Sequence, residues 1–163
     1  MEALEMIVCS FITSVGLGIV FRIEKHSLLW AGLGGGLTRM MYLFLIKLTN
    51  TTFITYFLAA VCAALYAELL AMHKKMPSTV FLYPTILPLV PGGTLYYIAA
   101  YVMMGDFSSA FSSLWECTLS LGGMCLGFVI ISTFTYYRRI YALGATLEKY
   151  LKKWIRMLAG KPQ

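Results

Sequence analysis

Apolar residues fill this chain in long runs, interrupted by short polar clusters rather than alternating with polar positions. Five runs can be marked, at about residues 3–21, 28–48, 53–72, 80–104 and 114–137. Each is near the roughly 20 residues that a helix needs to cross the hydrocarbon core of a bilayer. The separators are RIEKHS, TNTT, HKKMPS and GDFSS. In lipid every backbone N–H and C=O must be satisfied within the chain, so runs of this length predict α-helices. The expected fold is all-α: a polytopic integral membrane protein of about five transmembrane helices over residues 1–137, followed by a tail over 138–163.

Composition narrows this further. Of the 163 residues 60% are hydrophobic and 12% charged, against about 25% charged in a soluble domain. That balance excludes a soluble domain with its own aqueous surface. The first run begins MEALEM, acidic where a secretory signal is basic, and lacks a small-x-small cleavage site before Arg22, so a retained span is expected.

The net charge of +6 is unevenly placed. With the N-terminus outside, five crossings put all of the 13 Lys and Arg in the cytoplasm except Arg39, within a span, and Lys47, outside. Glu2, Glu5, Asp106 and Glu116 then fall on the outer side. The positive-inside rule selects this arrangement, N-terminus out and C-terminus in, in a cell membrane. The charge thus tracks topology, and no nucleic-acid partner is expected. In the tail, Ile140, Leu143, Leu147, Tyr150, Leu151, Trp154 and Leu158 recur at helical spacing opposite Lys149, Lys152, Lys153 and Arg156. This is a basic amphipathic helix suited to an anionic cytoplasmic leaflet, or to a partner's cytosolic domain. A second interfacial helix is expected at DFSSAFSSLWE, capped by Asp106, with Phe107, Phe111, Leu114 and Trp115 on one face, turning into the fifth span. Gly32 with Gly36, and Gly123 with Gly127, have the four-residue spacing that lets membrane helices approach closely.

The fourth run holds the sequence's sharpest anomaly, PTILPLVPGGTLYYIAAY at residues 84–101. Pro84, Pro88, Pro91, Gly92 and Gly93 are poor residues for a continuous helix. A break at residues 91–93 frees backbone at membrane depth, which protein, water or a ligand must satisfy. A helix restarting at GGTLYY, with Gly93 or Thr94 near its cap, points free N–H groups and a positive dipole end into the membrane. Transporters hold anionic substrates this way, and Tyr96 and Tyr97 add hydroxyls one turn on. The plainer alternative is a proline kink that only shapes packing.

Arg39 lies near the middle of the second run, where an unpaired charge costs several kcal/mol, roughly, by insertion scales. It is a candidate for recognising a substrate carboxylate. Glu68, in the third run, is a candidate for proton coupling. The alternatives are a structural salt bridge between Arg39 and Glu68, or a Glu68 that snorkels to the surface. Cys9, Cys62, Cys117 and Cys125 have no metal-ligand spacing, and His26 and His73 lie far apart in sequence, so neither metal nor cofactor is expected. No GxSxG, HExxH or phosphate-loop motif is present, which argues against an enzyme. NTT at Asn50 matches a glycosylation sequon only by a three-residue pattern.

The stretch AELLAMHKKMPSTVFLYPTILPLVPGGTLYY resembles the threonine/serine exporter family, in which a P-x-x-x-P-L-V-P-G signature follows an A-E-x-L-A helix end. GLGGGLTRMM and the GDF…AF segment are similar to that family as well, so the likeness reaches about residue 137. The resemblance implies the small membrane subunit of the family's split form. Its hetero-oligomeric partner would be a larger membrane subunit with a cytosolic N-terminal domain. It also implies proton-motive-force-driven export of threonine and serine, or of a dicarboxylate such as succinate, with Arg39, Pro91, Gly92, Gly93, Thr94, Tyr96 and Tyr97 at the substrate. A non-transporting assembly subunit and a passive channel subunit are the alternatives.

Overall fold

Each apolar run becomes a helix, ended where the backbone turns left-handed. The structure, a computed structural model, describes the backbone of residues 2–158 and the side chains of residues 3–138 and of Tyr141. Helices α1 (Glu2–Val20), α2 (Lys25–Thr49) and α3 (Thr52–Lys74) follow one another through tight connections. Asn50 and Lys75, at φ 46° and 54°, close α2 and α3 in the left-handed region that terminates helices. The fourth run is divided: α4 (Ser78–Ile86), a 3-10 turn (Leu87–Leu89) and α5 (Gly92–Met103). Gly105, at φ 77°, makes the turn into α6 (Phe107–Leu158). Among the described residues four helices are long and apolar enough to cross a membrane, and the bent pair Ser78–Leu89 and Gly92–Met103 makes up to a fifth span.

Residues 1–131 form one compact unit and residues 132–163 another. The interior of the first is built from small side chains. Ala31, Ala59, Ala60, Ala63, Ala64, Ala67 and Ala71 are buried, whereas Leu4, Ile12, Leu33, Phe44 and Leu69 are exposed. Lipid is as apolar as leucine, so large side chains gain nothing by turning inward, and helices associate through close packing of small ones. Gly35 shows the need most sharply: a Cβ there would overlap the hydroxyl of Ser14 on α1. Of the expected pair Gly32 and Gly36, only Gly32 is tightly packed, against Val15 and Phe11, while Gly36 has ordinary contacts. The pair Gly123 and Gly127 does bring two backbones together, α6 lying against Phe53 and Phe57 of α3.

One expected boundary moves. Instead of an interfacial helix that turns into a span near residue 114, α6 runs unbroken from Phe107. The serines that look like a helix-ending cluster bond back to their own helix, Ser112 Oγ donating to the Ser108 carbonyl at 3.2 Å. Asp106 does cap the helix, accepting from the Ser109 amide at 3.2 Å. Phe107, Phe111, Leu114 and Trp115 are exposed. In the second unit the backbone is helical to Leu158, but the apolar and basic faces expected on residues 140–158 lie outside the described side chains.

Candidate functional site

Three prolines make the break in the fourth span, each by what it lacks. Pro88 has no N–H, so the carbonyl of Pro84, four residues earlier, loses its helical donor. Ser14 Oγ on α1 supplies one instead, at 2.6 Å and fully buried. The chain then tightens into the 3-10 turn, where the Val90 amide donates to the Leu87 carbonyl at 3.1 Å. Pro91, at φ −76° and ψ 63°, leaves helical geometry and caps α5 without a side-chain hydrogen bond. The two halves meet at 47°.

The break therefore falls where the sequence places it, by a different device. Neither Gly92 nor Gly93 has positive φ, since Gly105 is the only such glycine among the described residues. Pro91 does the turning, and α5 starts at Gly92 rather than at Gly93 or Thr94. A Cβ on Gly92 or Gly93 would meet nothing within 4 Å. The Gly92 amide donates to the Val90 carbonyl at 2.8 Å. The next amides, of Gly93 and Thr94, belong to the first turn of a helix and have no intrahelical acceptor.

These residues open on a cleft of about 410 Å³ between α5 and α6, lined by Gly93, Thr94, Tyr97, Tyr101, Ser113 and Glu116. Tyr97 stacks on Tyr101, ring centroids 6.3 Å apart. Tyr96 meets Tyr97 edge-on and is itself 70% exposed, outside the cleft lining.

Arg39, on α2, donates to the Met6 sulfur at 3.6 Å and lies 5.0 Å from the centre of the Tyr42 ring. Neither contact is with an anion. Tyr42 in turn packs on Tyr56, centroids 5.0 Å apart. The Tyr56 hydroxyl faces Tyr42 and Ser120 within the field of Arg39. Ser120 Oγ donates to the backbone carbonyl of Glu116, one turn earlier in α6, at 2.8 Å. A row of polar groups thus leads from Arg39 through Tyr42, Tyr56 and Ser120 to the cleft. Leu89, two residues before Pro91, packs into the same cluster as Tyr42 and Tyr56. Arg39 and the break are neighbours through these two tyrosines.

Glu68 is brought to neither. It is buried in α3, 8% exposed. The α2–α3 register follows from the Tyr66 hydroxyl on the Trp30 carbonyl and from the Tyr42–Tyr56 pair. It sets Glu68 about two turns along α3 from the level of Arg39, on the order of 10 Å. Glu116, Tyr42, Tyr56 and Ser120 are the members that sequence reasoning did not select. Glu116 had a usable signal: once α6 begins at Phe107, it is an acid well inside an apolar helix, the same criterion that selects Arg39 and Glu68.

A family model described as threonine/serine exporter, ThrE, matches residues 6–134. Comparison with curated proteins and with solved structures gave no match.

Proposed function

Given that this chain belongs to the threonine/serine exporter family, whose model covers residues 6–134, we propose that it is the small membrane subunit of a two-part secondary transporter. Its cargo is a small carboxylate-bearing metabolite, threonine, serine or a dicarboxylate such as succinate, moved at the expense of the proton-motive force. The observation that supports this best is the 47° break between Ser78–Leu89 and Gly92–Met103, which opens on a polar cleft in a chain that is otherwise apolar.

The chemistry follows from the residues. The first-turn amides of α5 and the positive end of its dipole attract a carboxylate, and the open space before Gly92 and Gly93 lets it approach the backbone. Thr94 and Tyr97 add hydroxyl donors at the same place. Arg39, through Tyr42 and Tyr56, gives the anion a second positive station along the polar row. Glu68, two turns away, takes the role of a proton carrier between the two sides. Tyr96 faces outward from α5, where a larger subunit would complete the wall.

In this reading the N-terminus is outside and the tail cytoplasmic, so that a partner with five spans and a cytosolic N-terminus has the opposite orientation. Two inverted halves around a broken helix are a recurrent transporter plan. Counterflow of labelled threonine and succinate in proteoliposomes, with and without the larger subunit, tests it. Flux that needs both chains and falls with Arg39→Ala supports the proposal; flux indifferent to Arg39 leaves this chain as a scaffold. Orientation is tested by impermeant thiol labelling of single cysteines, and labelling from outside at residue 149 but not at residue 50 would reverse the assignment.

A further inference from the structure

The cleft between α5 and α6 has two poles. On the α5 side are the first-turn amides of Gly93 and Thr94, the positive end of that helix. Across from them α6 places Glu116, an exposed carboxylate, in the same lining. Between the poles lie the hydroxyls of Thr94, Tyr97 and Ser113 and the stacked rings of Tyr97 and Tyr101. Carboxylate, hydroxyls and aromatic faces together form an environment for an ammonium group, which takes an ion pair, hydrogen bonds and cation–π contact at once.

We infer that Glu116 holds the ammonium group of the substrate, so that the cleft selects an α-amino acid over a dicarboxylate. This rests on the proposal that the cleft is a substrate site, and decides between the two cargo classes left open there. An amino acid presents one group of each sign, and the cleft offers the opposite sign to each. A dicarboxylate aligned on the α5 amides would turn its second carboxylate towards Glu116. Like charges at close range are a strong means of rejection. The hydroxyls of Thr94, Tyr97 and Ser113 supply partners for a hydroxylated side chain, which an aliphatic one would leave unused.

Four probes separate this claim from the reading beneath it: L-threonine, L-threonine amide, 3-hydroxybutyrate and succinate. Binding to the full chain is measured calorimetrically, alone and with its larger subunit, for the wild type, Glu116→Gln and Glu116→Asp. Threonine is expected to bind, while 3-hydroxybutyrate and succinate, which lack the ammonium group, bind at least about tenfold more weakly. Glu116→Gln should weaken threonine by a similar factor, and Glu116→Asp should recover part of it. If 3-hydroxybutyrate or succinate binds the wild type as tightly as threonine, the ammonium role is overturned while the carboxylate site stands. If threonine amide binds as tightly as threonine, the carboxylate site itself is overturned. Binding of none of the four overturns both. Should Glu116→Gln fail to fold, the probes on the wild type decide alone.

Discussion

The buried hydrogen bond from Ser14 to Pro84 can be broken by a single atom. Ser14→Ala removes the hydroxyl and leaves the Pro84 carbonyl, fully buried, without its 2.6 Å donor. Pro88 cannot replace it, having no N–H. An orphaned buried carbonyl costs about 1–3 kcal/mol, and lipid offers no water to soften that. For a chain of this size about 2 kcal/mol corresponds to a fall of roughly 4–8 °C in the unfolding midpoint. The assay is thermal unfolding in detergent micelles, with Ser112→Ala as the control. Ser112 donates to an exposed helical carbonyl that keeps its backbone partner, so its loss should stay within about 0.5 kcal/mol. A second variant isolates the cause: Pro88→Ala restores an N–H four residues after Pro84 and should offset part of the Ser14→Ala loss. A Ser14→Ala protein as stable as wild type, or a loss that Pro88→Ala leaves undiminished, would refute the idea that Ser14 stands in for the missing helical donor.

Arg39→Ala should insert and accumulate normally yet lose export, with Lys rescuing poorly because an ammonium cannot reproduce the bidentate fork, as flux and membrane abundance measured together will show. Gly127→Ala places a Cβ 2.6 Å from the Phe57 carbonyl of α3, so α6 must shift, and a loss of folded protein on size-exclusion chromatography is expected. Asp106 has its carboxyl held below the ordinary value of 3.8 by the Ser109 hydroxyl and amide. A depressed folded-state value contributes stability above the unfolded value and loses it as pH falls through the folded one. Asp106→Ala should therefore lower the unfolding midpoint near neutral pH, and the difference from wild type should shrink as the buffer is taken below pH 3.8.

Much of the fold can be read along the chain because it rests on local rules. Run lengths give the spans, and Pro88, Pro91 and the following glycines give the break, since missing N–H groups act on their own helix. The start of α6 is misread for an equally local reason: Asp106 and the serines after it resemble a loop, yet their hydroxyls bond back into the helix. That one boundary hides Glu116. The remaining members of the site depend on packing between distant segments. Nothing in the sequence shows that Ser14 meets Pro84 across 70 positions, or that Gly35 makes room for it. Tyr42 and Tyr56 look like ordinary apolar-run residues until the α2–α3 register stacks them beneath Arg39.

The central claim is that the broken fourth span holds the substrate rather than merely bending the chain. Gly93 offers the cleanest measurement, because a methyl group there meets nothing within 4 Å of the protein and Gly93 has no positive φ to strain. By helix propensity alone Gly93→Ala should be neutral or favourable by up to about 1 kcal/mol. Export of threonine, measured in cells at matched membrane abundance and with the thermal midpoint checked in parallel, separates the two roles. The account predicts a Gly93→Ala protein as stable as wild type that no longer exports, because the methyl occupies the space the substrate needs. Wild-type export from that variant would contradict it and leave the break as a feature of packing.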